Sequence, residues 1–223
     1  MIKHKKEQND KECALAFSKE NDNRKANEWN YSIQKLYDNP LQLKAENSLA
    51  NNASLSFLLF YNGTVSLFAG DANPNDMIET INRYLNENGN GCDKMAVDFM
   101  KMPHHASSYN NPLEFIEKFP TKYYLISTEG HNGYKHPGKQ TIANIARAHV
   151  EDIDREIYIL CNYPTWKNPN ISFKDKEISW NVKDDLCNIK DKNNKSVQLK
   201  FVELKRNGII ITNSVGKEVK ISL

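Results

Sequence analysis

The order of apolar and polar positions divides the chain into three stretches. Residues 1–47 are polar and charged, residues 48–162 alternate apolar runs with amphipathic stretches, and residues 163–223 contain only short apolar runs. We therefore expect a polar N-terminal segment, an α/β domain and a β-rich extension packed on the same sheet. The N-terminal segment contains one helical pattern, suited to docking on a partner, in four apolar residues: Trp29, Ile33, Leu36 and Tyr37.

The central stretch predicts alternating strands and helices. Its apolar runs, at residues 55–60, 64–69, 95–102, 122–127 and 156–161, predict strands. Asn62-Gly63 between the first two runs is a strong hairpin signal. Helical patterns begin near Pro74, Pro112 and Pro137, and the first predicts an apolar face formed by Met77, Ile78, Ile81, Tyr84 and Leu85. In the extension, shorter runs predict strands at residues 178–182, 197–203, 208–212 and 218–223.

Composition excludes several classes of protein. The net charge is +2, so no global positive charge marks a nucleic-acid-binding protein. The mean hydropathy is −0.70, and no apolar run reaches the ~20 residues that a membrane span needs. The four cysteines (Cys13, Cys92, Cys161 and Cys187) are widely spaced. We expect reduced thiols in a cytoplasmic protein and no cysteine-based zinc site.

Residues able to bind metal recur where a predicted strand ends. They are Asp71 after Gly70, His104 and His105 after Pro103, and His136 before Pro137. Asp oxygens and His nitrogens suit Zn²⁺ or Mn²⁺, and a carboxylate such as that of Asp71 can bridge two ions ~3.5–4 Å apart. Each residue also has an ordinary interpretation, Asp71 as a turn residue and the histidines as loop residues.

The remaining histidines are weaker candidates. His131 lies in the same predicted loop as His136 and competes with it for one role. His4 is expected in a charged tail, and His149 is expected on a helix surface.

Taken in order, these segments resemble the C-terminal half of a metallo-β-lactamase-fold hydrolase, in particular the hydrolase domain of the competence protein ComEC and its stand-alone relatives. The family pattern NxxSLV, TGD, VPHHGS, a strand ending in Ser, and NxYGHP is similar to residues 51–55, 69–71, 102–107, 127 and 132–137. Ala106 and Lys135 stand where the family has glycine. The resemblance implies half of an αββα sandwich with a C-terminal β-rich extension.

The resemblance also implies a set of site residues. Catalytic roles fall on Asp71, His104 and His136, and metal binding falls on Asp71, His104, His105 and His136. Substrate contacts fall on His105, Ser107, His131 and Asn132. The implied cofactor is Zn²⁺ or Mn²⁺, in a site for two ions, and the implied substrate is a phosphodiester of a nucleic acid or nucleotide.

One family motif, HxHxDH, is absent from this chain. A first hypothesis is therefore a hydrolase whose missing ligands come from a partner chain or another segment. The alternative is a non-catalytic binding or regulatory subunit that holds no metal, and a generic α/β binding domain is a third. Because half of a sandwich would expose one apolar sheet face, we expect a partner protein or a second copy to cover it.

Overall fold

The computed structural model describes residues 28–45, 47–88, 91–128, 136–151, 156–163, 171–173, 176–178, 189–191, 193, 197–204 and 208–221. The strands are β1 (Phe57–Tyr61), β2 (Thr64–Phe68), β3 (Phe99–Lys101), β4 (Tyr123–Ile126), β5 (Glu156–Cys161), β6 (Ile171–Phe173), β7 (Lys176–Ile178), β8 (Gln198–Glu203), β9 (Ile209–Thr212) and β10 (Glu218–Ile221). The helices are α1 (Ile33–Asp38), α2 (Leu49–Asn52), α3 (Pro74–Asn88), α4 (Leu113–Lys118) and α5 (Lys139–Ala148), with a 3₁₀ turn at Glu28–Asn30 and a tight turn at Pro103–Ala106.

A six-stranded sheet of order β1-β2-β3-β4-β5-β8 forms the centre of the molecule. The hairpin predicted at Asn62-Gly63 joins β1 and β2 antiparallel, and every later neighbour in the sheet runs parallel. Helices α3, α4 and α5 connect the consecutive parallel strands β2 to β5. The α/β class expected from the alternating pattern is therefore confirmed.

One face of the sheet packs against the helices. Met100, Tyr124 and Ile159 project from the strands, and Phe115 and Ile142 meet them from α4 and α5. The apolar spacing of α3 places Met77, Ile78, Ile81 and Leu85 in this core, but Tyr84 is 46% exposed, so its predicted place on the apolar face is wrong.

The second face of the sheet is covered in part by the β9–β10 hairpin. Ile211 of this hairpin is buried against Phe99, Leu125 and Leu160. The side chain of Asn213 donates to the Thr64 hydroxyl at 3.1 Å and so fixes the hairpin over the β1–β2 end of the sheet. The expectation of an entirely exposed face is therefore wrong, although the face stays open beside β1.

The N-terminal helix packs within its own chain. The four predicted apolar residues are all buried, and α1 lies against α5. The backbone amide of Leu41 then donates to the Gln140 side chain at 2.9 Å, which continues this contact. The helix predicted as a docking element is covered by α5 of the same molecule.

The described strands of the extension fall into three groups. β8 joins the main sheet beside β5, whereas β6–β7 and β9–β10 form separate antiparallel hairpins. Of the strand predicted at residues 178–182, only Ile178 belongs to the described residues, as the last residue of β7.

His149 is buried, so its predicted place on a helix surface is wrong. Its Nε2 lies 2.8 Å from the hydroxyl of Tyr124, and this polar contact explains why the side chain can leave water. In the part of the chain that the structure describes, no helix is long and apolar enough to cross a membrane.

Candidate functional site

The predicted site residues meet at the carboxyl ends of the parallel strands. Asp71 follows β2, His104 and His105 follow β3, and His136 precedes α5. The imidazole centroids of His104 and His136 are 5.5 Å apart, and His105 lies 6.2 Å from each of them. Open α/β sheets bind ligands at this edge because neighbouring loops converge there. His131 and Asn132 lie outside the described residues.

The turn that carries two of these histidines has an unusual backbone. His104, His105 and Ala106 have φ angles of 44°, 53° and 64°, so three consecutive residues with side chains adopt the left-handed region. Each such residue costs roughly 1–2 kcal/mol relative to the right-handed helix. Strain of this kind persists only where surrounding contacts enforce it, and it concentrates at functional sites.

Hydrogen bonds from neighbouring elements hold this strained turn in place. The His104 amide donates to the carbonyl of Gly70 at 2.9 Å, which ties the turn to the end of β2. The Ala106 carbonyl accepts from the Gly138 amide at 2.9 Å and from the Thr141 hydroxyl at 3.0 Å. The buried Asn111 side chain donates to the Ser107 carbonyl at 2.7 Å. The site geometry therefore depends on the start of α5 as much as on β3.

Two of the imidazoles are oriented through their Nδ1 atoms. Nδ1 of His104 lies 3.0 Å from Oδ1 of Asn110, and Nδ1 of His105 contacts the carbonyl oxygen of Ser127. The amide group of Asn110 donates to the Ala72 carbonyl at 3.3 Å, so its oxygen faces His104. Because both partners only accept, each neutral imidazole carries its proton on Nδ1 and its lone pair on Nε2.

His136 is held in its neutral form. Burial, followed by the nearby His104 and His105, lowers its pKa from 6.5 to about 4, and the carboxylate of Asp71 opposes the shift. At neutral pH the ring is therefore uncharged and can offer a lone pair to a metal ion or a proton.

Asp71 depends on the glycine before it. Gly70 has a φ of 55°, and a Cβ there would lie 3.1 Å from the Leu55 carbonyl oxygen and 3.2 Å from Cβ of Ser54. The Asp71 amide donates to the Ser54 hydroxyl at 3.2 Å. A glycine at position 70 thus permits the turn that brings the carboxylate to the site.

The charge of Asp71 acts on two neighbours. Burial lowers the pKa of Lys101, and the Asp71 carboxylate opposes this shift, as it opposes the lowering of the His136 pKa. The Asp71 carboxylate therefore interacts electrostatically with the imidazole that precedes α5 and with an ammonium group at the end of β3.

Ser107 supports the turn from within. Its side chain is buried, and its hydroxyl accepts from the amide of Tyr109 at 3.4 Å. The next residue, Ser108, donates its hydroxyl to Oε2 of Glu28 at 2.7 Å, and the same oxygen accepts the Gln140 amide at 3.0 Å. The buried carboxylate of Glu28 therefore joins the histidine turn to the first residues of α5.

Sequence reasoning missed Asn110 and Glu28. Asn110 follows the histidines within one loop, so the Asn-rich run after His105 was a usable signal for a residue that orients a ring. Glu28 lies 80 residues from Ser108 in a charged segment, and its pattern carries no such signal.

The donor types at this edge fit a borderline divalent metal, but the set is not closed. Imidazole nitrogens and one carboxylate are the ligands that Zn²⁺ and Mn²⁺ accept. Among the described residues, however, no group of three or more His, Cys, Asp or Glu side chains could hold one ion. A complete ligand set for one ion would therefore need donors beyond these described side chains.

Comparisons of the chain with protein-family models, with curated proteins and with solved structures find no significant match.

Proposed function

We propose that this chain is the metal-binding part of a hydrolase that acts on phosphodiester bonds of a nucleic acid or nucleotide, built on half of a metallo-β-lactamase fold. The observation that carries the proposal is the fixed orientation of His104 and His105. Nδ1 of each ring lies against an acceptor oxygen, so the neutral form of each ring has its lone pair on Nε2, and both rings lie near His136 and Asp71.

This arrangement is typical of histidines that bind metal. Metal-binding imidazoles almost always donate their second nitrogen to a carbonyl, amide or carboxylate oxygen, which fixes the tautomer and the ring direction. The low pKa of His136, about 4, keeps a third imidazole uncharged near neutral pH. A Zn²⁺ ion held there would lower the pKa of its water to about 7, so that hydroxide would be available as a nucleophile at neutral pH.

The protein's own residues would share the other tasks. Asp71 would provide negative charge for one or two ions, and Asn110 would keep the His104 ring directed at the site. Neutral His136 would hold or accept a proton beside the substrate. The remaining ligands would come from a partner chain or from another segment, because the described residues do not close a ligand set.

A second candidate function is a non-catalytic binding or regulatory subunit. The open ligand set favours it, and so does Lys101, whose ammonium group interacts with Asp71 where a metal ion would otherwise balance the carboxylate. In this case the three imidazoles would contact a partner protein without metal.

Zinc titration by calorimetry separates these functions. We expect the wild type, alone or with its co-purifying proteins, to bind zinc, and the double variant His104→Ala, His105→Ala to lose binding. Asn110→Ala should weaken zinc binding about 10–100-fold, because the His104 ring loses its orienting acceptor. His149→Gln, outside the site, is the matched control and should leave zinc affinity unchanged.

Hydrolysis of bis(p-nitrophenyl) phosphate with added zinc or manganese is the second measurement. Activity that follows the zinc affinities of the variants would support the hydrolase. Zinc binding without hydrolysis, in the presence of the co-purifying proteins, would favour the subunit function. No zinc binding by any preparation would overturn the metal proposal.

A further inference from the structure

The outermost strand β1 exposes apolar side chains on both sides of the sheet. Phe57 and Leu59 are 47% and 46% exposed on the face that carries the β9–β10 hairpin, and Phe60 is 64% exposed on the opposite face. Among the described strands, β1 pairs with β2 alone, so no described strand covers its outer edge. Exposed apolar surface at an open sheet edge marks a site of strand pairing.

The two edges of the sheet differ in how they are protected. Positions 54–63, which include β1 and its turn, contain no charged residue and no proline. The opposite edge strand, β8, contains Lys200 and Glu203, and Lys200 pairs with Glu156 of β5. Charges and prolines on an edge normally prevent pairing with another strand, and β1 has neither of them.

We propose that β1 is a homodimer interface, in which two copies of β1 pair antiparallel about a two-fold axis through Leu59. In this register Phe57 lies opposite Tyr61 of the second copy, Leu58 lies opposite Phe60, and Leu59 lies opposite its own counterpart. Every pair is apolar or aromatic, and such cross-strand pairs stabilise a sheet. The two sheets then form one continuous sheet, and the contact closes on itself as two-fold contacts do.

Exposed apolar side chains also lie beyond the two ends of β1. The Ser56 hydroxyl donates to the Ala69 carbonyl at 2.9 Å and lies 3.8 Å from Sδ of Met77, so Ser56 points toward α3. Leu55, which is 79% exposed, therefore points toward the opposite face. This places an exposed apolar side chain just before β1 on the same side as Phe57 and Leu59.

At the other end of β1, Val215 of the β9–β10 turn covers the β1–β2 turn. A Cβ on Gly63 would lie 3.2 Å from Cγ2 of Val215, and Val215 is 61% exposed. Antiparallel pairing brings the end of one β1 beside the start of the other. Leu55 of one copy and Val215 of the other therefore approach each other on the same face, which extends the uncharged contact beyond the strands.

A second copy of this chain can pair with the β1 edge without bringing charged side chains together. The strand contains no charged residue that an oppositely charged partner could pair with. Its own sequence supplies an apolar residue at every paired position. The proposal requires no metal and stands apart from the proposed hydrolase function.

Sedimentation velocity of the full chain tests the dimer. We expect the wild type to sediment as a dimer of twice 25.7 kDa, with a concentration-dependent monomer. Leu59→Lys, which sets two ammonium groups opposite each other on the axis, should abolish the dimer, whereas Gln198→Lys on the opposite edge should leave it intact. A monomeric wild type, or a Leu59→Lys variant that remains dimeric, would overturn the proposal.

Cysteine cross-linking tests the register separately. In a background with Cys13, Cys92 and Cys187 replaced by Ser, Leu59→Cys should give a disulfide-linked dimer under mild oxidation, because the axis brings the two positions within bonding distance. Gln198→Cys in the same background should remain uncross-linked. Equal cross-linking of the two variants would contradict pairing through β1.

Discussion

The left-handed turn at Pro103–Ala106 and helix α5 contact each other but have opposite backbone conformations, one left-handed and one right-handed. The turn places three consecutive residues with side chains at positive φ, whereas α5 is a regular helix with most of its side chains buried. The Gly138 amide and the Thr141 hydroxyl, at the start of α5, both donate to the carbonyl of Ala106. The comparison teaches that a stable helix holds a strained segment that carries the candidate chemistry.

The two regions should therefore respond differently to substitution. Changes in the turn should alter metal binding with small effects on stability, and changes in α5 should alter stability first. His136, which lies between the two regions, should affect both.

The largest predicted effect is the pH dependence of stability that arises from His136. Its pKa is about 4 in the folded protein and 6.5 in the unfolded chain, so between these values the unfolded chain binds more protons. The free energy of unfolding should be highest above pH 6.5 and should fall by up to about 3 kcal/mol as the pH approaches 4. Urea denaturation of metal-free protein at several pH values measures this.

His136→Gln is the control for that prediction. A glutamine cannot bind the proton, so its stability should change less over the same pH range. An equal acid loss in wild type and variant would show that His136 is not the titrating group.

Gly138→Ala should produce the next largest effect. A Cβ there would lie 1.9 Å from the Ser108 hydroxyl oxygen and 2.9 Å from the Ser108 backbone nitrogen, so the turn and α5 would be forced apart. We expect a loss of about 2–3 kcal/mol in the free energy of unfolding. Gly91→Ala, where nothing beyond the neighbouring residues lies within 4 Å of the added Cβ, has φ strain but no such close contact and should lose less. Equal losses would contradict the close contact.

The smallest predicted effects come from replacing one buried alanine in each of the two regions by glycine. Ala143 in α5 and Ala106 in the turn are both fully buried, but only Ala106 has a positive φ, of 64°. Ala143→Gly should destabilise the protein by about 1 kcal/mol, because glycine weakens a helix. Ala106→Gly should leave stability unchanged or raise it by up to about 1 kcal/mol, because glycine removes the left-handed strain. Thermal unfolding of the two variants measures this difference. Equal losses of stability in both variants would contradict the strain at Ala106.

The fold was predictable where the local pattern is strong. The β1–β2 hairpin, β5 and the amphipathic helices follow from periodicity and turn residues near in sequence. The strand predicted at residues 95–102 is shorter, as β3 covers only Phe99–Lys101. The amides of Met95 and Val97 instead donate to the carbonyls of Lys118 and Pro120, which are contacts that no local pattern encodes.

The proximity of the ligand-type residues of the candidate site could be predicted, but the residues that hold them in place could not. Asp71 and the histidines could be found because parallel strands bring their carboxyl ends together. The left-handed turn could not, because His-His-Ala contains no glycine to indicate positive φ. Glu28 binds the Gln140 amide across 112 residues, a contact that only the folded chain creates.

Metal content of the purified protein, measured by elemental analysis with and without its co-purifying proteins, decides whether these side chains form a metal site. We expect bound zinc or manganese that is lost from the double variant His104→Ala, His105→Ala. Protein that binds no metal in either preparation would contradict a metal site at the carboxyl ends of β2 and β3.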